Sequence, residues 1–184
     1  AAWEWPSYMD PESKQKGISV AKSPYKQYKN PNWSNYKITG TYVNSIVALH
    51  DAVAKGADEA LILDNDGYIS EGSGENIFFL KDGLIMTPTT KNCLNGITRQ
   101  SVIEIAKDLG HKVEEGDWSY EHILECDEAF FTGTAVEVTP ITKIDEKIIS
   151  NGTVGPITKE IQTNYENAVL GTDNNSRNWL TYIE

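Results

Sequence analysis

Apolar residues recur at helical spacing in three stretches of the chain. The pattern predicts helices over residues 41–55, 96–109 and 156–170, with Gly56 closing the first and Thr98 as a candidate N-cap of the second. The first helix is predicted to be buried because several large apolar residues share its period. These residues are Val43, Ile46, Val47, Leu49, Ala52 and Val53.

Short β-rich runs separated by turn residues fill most of the remaining chain. Residues 17–28 are predicted to form a strand, and residues 59–88 an antiparallel meander with Gly-containing turns. Another strand follows residue 110, then a short helix capped by Ser119, and two strands on either side of Gly133 and Thr134. The fold class indicated is mixed α/β, an antiparallel-rich sheet flanked by helices.

Length and composition indicate one globular domain without a nucleic-acid or membrane partner. The 184 residues suffice for one well-buried core, and 39% of them are hydrophobic. A formal net charge of −11 with scattered Lys and Arg disfavours a phosphate backbone as partner. The sequence has no apolar run of about 20 residues, and its two cysteines are too few for a disulfide framework. We expect a cytoplasmic protein.

Two further features concern metals and the start of the chain. Three histidines and two cysteines show no zinc-ligand spacing, so no metal site is predicted. The chain does not begin with Met, and its opening Trp3, Trp5, Pro6 and Tyr8 read as the middle of a folded unit. An upstream part is therefore expected.

Four ordered sequence blocks carry a family resemblance. They are KITGTYVNSIVALHDA, ILDNDGYISEGSGENIFFLKDGLIMTP, NGITRQSVIEIAKDLG and EAFFTGTAVEVTPI, and 34 residues separate Lys37 from Glu71. In this order and spacing they resemble fold-type IV aminotransferases that use pyridoxal 5'-phosphate, most closely the branched-chain amino acid aminotransferases. The resemblance implies that residues 1–184 form the cofactor-binding C-terminal large domain, an antiparallel-rich pseudo-barrel flanked by helices. About the first 30 residues would lead in from an N-terminal small domain.

The resemblance assigns the chemistry of the cofactor to three side chains. Lys37 would form a Schiff base with pyridoxal phosphate and move the proton between the substrate and the cofactor. Glu71 would hold the proton on the ring nitrogen, which lets the ring accept electrons. Tyr42 would donate a hydrogen bond to the ring oxygen. Glu75, in the same block as Glu71, is expected only to orient the loop.

Phosphate and substrate carboxylate are assigned to backbone N–H groups. The N–H groups of Ile97 and Thr98 open a predicted helix, and the resemblance adds the Thr98 hydroxyl as a phosphate ligand. Thr134 matches a second phosphate contact, and the N–H groups of Thr134 and Ala135 match the turn that binds the substrate α-carboxylate. Cys93 is expected to be an inert loop thiol.

The implied reaction is transamination of Leu, Ile or Val with 2-oxoglutarate by a homodimer or larger homo-oligomer. D-amino-acid aminotransferases and aminodeoxychorismate lyases share the lysine and the glutamate, so both remain alternatives. A non-catalytic fragment without the N-terminal domain is a third. The side-chain pocket depends largely on that other domain, so the amino acid preferred stays open.

Overall fold

The computed structural model describes residues 11–27, 36–172 and 179–182. Five α-helices and nine strands alternate along these residues. In chain order they are α1 Pro11–Lys16, β1 Ile18–Lys22, α2 Tyr42–Ala54, β2 Glu59–Leu63, β3 Ile69–Glu71, β4 Asn76–Lys81, β5 Leu84–Pro88, α3 Ile97–Asp108, β6 Lys112–Gly116, α4 Tyr120–Leu124, β7 Glu128–Gly133, β8 Glu137–Ile144, β9 Lys147–Ile148 and α5 Pro156–Leu170.

All nine strands belong to one mixed sheet, which confirms the predicted fold class. The order across the sheet is β3-β2-β1-β8-β7-β4-β5-β6, with β9 paired to β8. The pairs β1·β2, β1·β8 and β5·β6 are parallel, and the other five pairs are antiparallel. The predicted meander over residues 59–88 is wrong in one respect. It divides into two separate hairpins, β2·β3 and β4·β5, because β4 pairs with β7 rather than with β3.

Alternation along the central strands places apolar side chains on both faces of the sheet. Phe79 and Phe131 point to one face, where they join a cluster that includes Trp118. Phe78 and Phe130 point to the other face and stack with ring centroids 5.1 Å apart. Helices α3 and α5 cover that second face through residues such as Val102, Ala106 and Ile161. Both faces are buried, so the strands read as continuous apolar runs.

The prediction that helix α2 is buried is wrong for its large residues. The side chains that pack on the sheet are small: Ala48 and Ala52 contact Ala21, Ala60 and Ile62. The bulky residues point outward, with Val43 at 65%, Ile46 at 55%, Val47 at 41% and Val53 at 57% exposure. The predicted helical period is correct, but the helix presents its other face to the sheet because small residues allow closer packing.

The helix ends agree with the sequence except at one cap. Helix α5 begins at Pro156, and Gly171 follows it in the left-handed conformation. Ser119 caps α4 as predicted. Helix α3 is capped by Gly96 rather than by Thr98, which is its second residue. A glycine at the cap lets the chain approach the sheet more closely than a threonine would.

Some predictions fall outside the described residues. The strand predicted over residues 17–28 ends at Lys22, and residue 28 is not described. The opening aromatic residues Trp3, Trp5 and Tyr8, with Pro6, also lie outside the described part. Among the helices of residues 11–27, 36–172 and 179–182, none combines the length and the apolar character needed to cross a membrane.

Candidate active site

Lys37 and Tyr42 lie together at the start of helix α2. A short 3-10 turn, Thr39–Thr41, joins them and leads directly into the helix. Lys37 is exposed and Tyr42 half-buried. The Lys37 Nζ lies 5.9 Å from the centroid of the Tyr42 ring, so both side chains face the same region. An accessible amine beside a phenol is the pair expected for covalent attachment of an aldehyde.

Glu71 ends strand β3 and accepts a hydrogen bond from a neutral donor on each carboxylate oxygen. Gln27 Nε2 donates to Oε1 at 2.7 Å, and the Leu94 N–H donates to Oε2 at 2.9 Å. The residue is half-buried. Hydrogen bonds to both oxygens fix the orientation of a carboxylate. Glu71 is thus a fixed carboxylate at the end of a strand, ready to pair with a cationic group.

Two buried carboxylates, Glu59 and Glu75, lie behind the loop that follows Glu71. Glu59 accepts hydrogen bonds from the N–H and the hydroxyl of Ser73, at 3.2 and 2.9 Å, and burial raises its pKa. Glu75 accepts from the Gly74 N–H at 2.9 Å. Burial and then the Glu59 charge raise the pKa of Glu75 to about 8, against smaller opposing effects that include the Lys37 charge. Glu75 therefore carries a proton near neutral pH.

The raised pKa of Glu75 predicts a pH-dependent stability. Its pKa is about 8 when folded and near 4.5 when unfolded, so between these values only the unfolded chain releases the proton. The free energy of unfolding of the apoprotein should therefore fall as pH rises across this window. A total of a few kcal/mol is expected, at about 1.4 kcal/mol per unit of pKa difference.

Urea unfolding of the complete apoprotein across that window measures the effect. Glu75→Gln, which is neutral throughout, should flatten the fall. Glu146→Gln is the control, since that side chain is 98% exposed, and it should keep the slope of the original protein. Equal slopes for Glu75→Gln and the original protein would show that Glu75 does not hold the proton.

Helix α3 begins beside strand β4. Gly96 has extended backbone angles, and among the described residues no side chain caps the helix. The N–H groups of Ile97 and Thr98 are the first two of the helix, and such groups have no acceptor within a helix. Asn76 Nδ2 donates to Leu94 O at 2.7 Å and so ties this turn to the sheet. Together these residues form a fixed anion-binding helix end.

A buried hydroxyl lies near the same helix end. Thr132 on β7 is the register partner of Asn76 on β4, so their side chains share a face of the sheet. The Thr132 Oγ1 is buried and has no hydrogen-bond partner among the described residues. A buried hydroxyl of this kind is normally satisfied by a polar ligand or water. The surroundings of the α3 N-terminus are therefore suited to a polar group.

Gly96 is required by close packing against Asn76. A Cβ at this position would overlap Asn76 Oδ1, whose amide group is itself held by the bond to Leu94 O. Gly96→Ala should therefore push the start of α3 away from the sheet and destabilise the protein by about 1–3 kcal/mol. Gly74→Ala is the matched control because a Cβ there meets nothing within 4 Å. Urea unfolding of the two variants tests the prediction; equal stabilities would contradict it.

Thr134 and Ala135 lie in the turn between β7 and β8, and both are exposed. The turn faces the loop that contains Glu75, since the Cβ position of Gly133 is 3.7 Å from Gly74 O and 3.8 Å from Glu75 Cγ. The residues predicted as carboxylate ligands thus lie next to the loop that follows Glu71. Their roles stay predictions, because the geometry shows only the neighbourhood.

Three loops therefore converge at one edge of the sheet. The residues 71–76 are linked to the turn before α3 by the Glu71 and Asn76 hydrogen bonds to Leu94. The same loop adjoins the 133–135 turn, and the charges of Glu71 and Lys37 both act on Glu75. All seven residues predicted from the sequence border this region: Lys37, Tyr42, Glu71, Ile97, Thr98, Thr134 and Ala135.

Several residues of the site carry no recognisable sequence signal. Gln27 precedes Glu71 by 44 residues in the chain, and Asn44 lies on α2. Both take part in hydrogen bonds that only the fold brings together. The Leu94 contact is made by a backbone N–H, which any residue except proline supplies. Only the buried glutamates had a local signal, since an acidic residue within an apolar strand run such as Glu59 is unusual.

The cysteines lie outside this chemistry. Cys93 and Cys126 are free and buried. Burial and the Asp127 charge raise the pKa of Cys126 to about 12, which disfavours the reactive thiolate. Within the described ranges no three His, Cys, Asp or Glu side chains are grouped as metal ligands would be.

Comparison with known proteins identifies the family. The sequence model of the family described as amino-transferase class IV matches residues 2–144. The chain belongs to the class IV aminotransferases. Relatives within it include the branched-chain-amino-acid aminotransferases of Pseudomonas aeruginosa, 44% identical over 185 residues, and of Escherichia coli K12, 37% identical over 186 residues. Each alignment covers 100% of this chain and 60% of the relative.

Solved structures of class IV aminotransferases share the fold. The branched-chain amino acid aminotransferase of Thermobaculum terrenum in its PLP form superposes with a TM-score of 0.89 at 34% identity, covering 96% of this chain and 58% of that one. The Escherichia coli enzyme gives 0.92 at 36% identity, covering 97% and 60%. A third branched-chain amino acid aminotransferase, from T.th. and with pyridoxamine 5'-phosphate, gives 0.90 at 44% identity, covering 98% and 59%. The chain thus spans about 60% of the length of the relatives it matches.

Proposed function

We propose that this chain is the cofactor-binding C-terminal large domain of a branched-chain amino acid aminotransferase. The complete enzyme would transfer the amino group of Leu, Ile or Val to 2-oxoglutarate with pyridoxal 5'-phosphate. The observation that carries the proposal is the bond between the Leu94 N–H and Glu71. It joins the carboxylate expected at the ring nitrogen and the helix end expected at the phosphate into one unit.

The residues present fit pyridoxal phosphate. A fixed carboxylate, a helix N-terminus with available N–H groups and an exposed amine lie around one region. The buried, unpartnered Thr132 hydroxyl in the described part adds a polar atom beside the helix end. The named relatives support the same cofactor, since one solved structure contains pyridoxamine 5'-phosphate and another is described as the PLP form.

The chain's residues would divide the reaction between them. When bound, pyridoxal phosphate supplies an aldehyde and a ring that takes up the electron pair left when the substrate α-C–H bond breaks. The Lys37 Nζ provides the covalent attachment and then carries the proton from the substrate α-carbon. Glu71 keeps a proton on the ring nitrogen, and the Tyr42 hydroxyl donates to the ring oxygen. Both groups hold charge where the reaction needs it.

Anion binding would be the task of the backbone. The N–H groups of Ile97 and Thr98, with the Thr98 hydroxyl, hold the phosphate at the positive end of α3. Thr134 supplies a second phosphate contact. The N–H groups of Thr134 and Ala135 hold the substrate α-carboxylate, which directs the α-hydrogen toward Lys37.

We also propose a homodimer or larger homo-oligomer and a cytoplasmic location. The exposed apolar side chains on α2 support association, because contiguous apolar surface normally marks a contact. The two unpaired buried cysteines are compatible with a reducing compartment. Light scattering of the complete protein tests the assembly, and a monomeric mass would reject it.

The decisive experiment uses the complete protein, loaded with pyridoxal phosphate. Adding L-Leu should shift the cofactor absorption band, and 2-oxoglutarate should then restore it with formation of glutamate. A band that answers only to a D-amino acid would assign the D-specific reaction. Pyruvate release from aminodeoxychorismate without an amino acceptor would assign the lyase. No cofactor band at all would support a non-catalytic chain.

A further inference from the structure

Gln27 is placed to control the orientation of Glu71. Its Nε2 donates to Glu71 Oε1 at 2.7 Å, and its own backbone N–H donates to Leu63 O at 2.8 Å. The side chain is buried, with 7% exposure. A buried amide with a fixed backbone has few alternative positions, so its donor direction is well defined. The other Glu71 oxygen takes the Leu94 N–H, whose direction is set by the main chain.

Asn44 fixes the amide of Gln27 in turn. Asn44 Nδ2 donates to Gln27 Oε1 at 3.3 Å and to Lys26 O at 3.2 Å. With its oxygen accepting from Asn44, Gln27 must present its NH₂ group to Glu71. The hydrogen bonds therefore run from the first turn of α2, which begins at Tyr42, through Gln27 to the carboxylate.

We propose that Gln27 is a positioning residue for the cofactor's ring nitrogen, acting through Glu71, and that Asn44 sets its orientation. The inference rests on the proposed function. The chemistry of the donor gives the reason: an amide holds the carboxylate in one orientation without neutralising it. A Lys or Arg in place of Gln27 would compete with the protonated ring nitrogen for the negative charge. The amide therefore orients Glu71 and leaves its charge to the cofactor.

A pair of cofactors separates this role from a structural one. Gln27→Met removes the donor at similar volume, and binding to the complete apoprotein is measured by equilibrium dialysis. Pyridoxal phosphate should bind about tenfold more weakly, which corresponds to about 1.4 kcal/mol. A carbocyclic analogue with CH in place of the ring nitrogen should bind with unchanged affinity, because it has no group for Glu71 to pair with.

Matched variants complete the test. Gln162→Met removes another buried amide, which donates to Lys14 O and Val138 O instead of to Glu71, and it should leave both affinities unchanged. In a Glu71→Gln background, Gln27→Met should cause no further loss. Asn44→Ala should weaken pyridoxal phosphate binding by a smaller factor and spare the analogue.

The outcomes separate the two levels of the proposal. Equal weakening of both ligands by Gln27→Met would overturn the positioning role in favour of general packing, and no weakening would overturn it as well. In either case an original protein that binds pyridoxal phosphate and transaminates Leu leaves the proposed function standing. An original protein that does not bind pyridoxal phosphate would remove the proposed function and this inference with it.

Discussion

Replacing Lys37 with alanine is expected to abolish transamination in the complete protein. The loss should be at least roughly 10²–10⁴-fold, the size typical of a removed general acid–base group, because the same amine also provides the covalent attachment. Lys37 is exposed and its Nζ lies 5.9 Å from the Tyr42 ring centroid, so little packing is lost with it. Initial rates with L-Leu and 2-oxoglutarate measure the effect, and the free energy of unfolding should remain unchanged.

A second lysine, at the other end of the same helix, provides the control. Lys55 follows the last turn of α2 and pairs with Asp51 at 2.6 Å on the surface. Lys55→Ala should keep full activity, since an exposed ion pair contributes little. Borohydride reduction followed by peptide mass analysis should locate the cofactor on the peptide that contains Lys37. Cofactor found on another lysine, or an active Lys37→Ala protein, would refute the assignment.

Hydrophobic period predicts the elements well and the packing less well. Helix α5 begins at the predicted Pro156, and α3 lies within one residue of its predicted ends. Period alone does not say which face of a helix is buried when both carry apolar residues. On α2 the small face, including Ala48 and Ala52, packs on the sheet because its residues fit closely against Ala60. The large residues are left exposed.

Strand pairing also exceeds what local sequence patterns provide. Turn residues locate the β2·β3 and β4·β5 hairpins, since such turns are local. The pairing of β1 with β8 joins residues more than 120 positions apart, such as Ile18 and Ile141. No local pattern encodes such a contact. The sheet order therefore comes from the structure rather than from periodicity.

The candidate site divides in the same way. Residues with a chemical role of their own, such as Lys37 and Glu71, could be named from motifs. Residues that act by position could not. Gln27 and Asn44 owe their contact with the site to the fold, and the proton on Glu75 follows from burial and a neighbouring charge. These groups are visible in the sequence, but their environment depends on the assembled sheet.

Glu71→Gln is expected to give the second largest loss of activity, roughly 10²–10³-fold in kcat, as when one electrostatic contact to developing charge is removed. A neutral amide cannot keep the proton on the cofactor's ring nitrogen, so the ring accepts electrons poorly. The substitution keeps the shape of the side chain. It also keeps an oxygen to accept from the Leu94 N–H. The fold should therefore survive, and KM for Leu should change less than kcat.

Two variants identify the cause of that loss. Glu146→Gln, on an exposed side chain, should leave kcat unchanged. Glu75→Gln changes the same loop but replaces a carboxyl group that already carries a proton near neutral pH, so it should cost much less activity than Glu71→Gln. If Glu75→Gln proved as damaging as Glu71→Gln, the loss would reflect loop structure, and the carboxylate at position 71 would not be the partner of the ring nitrogen.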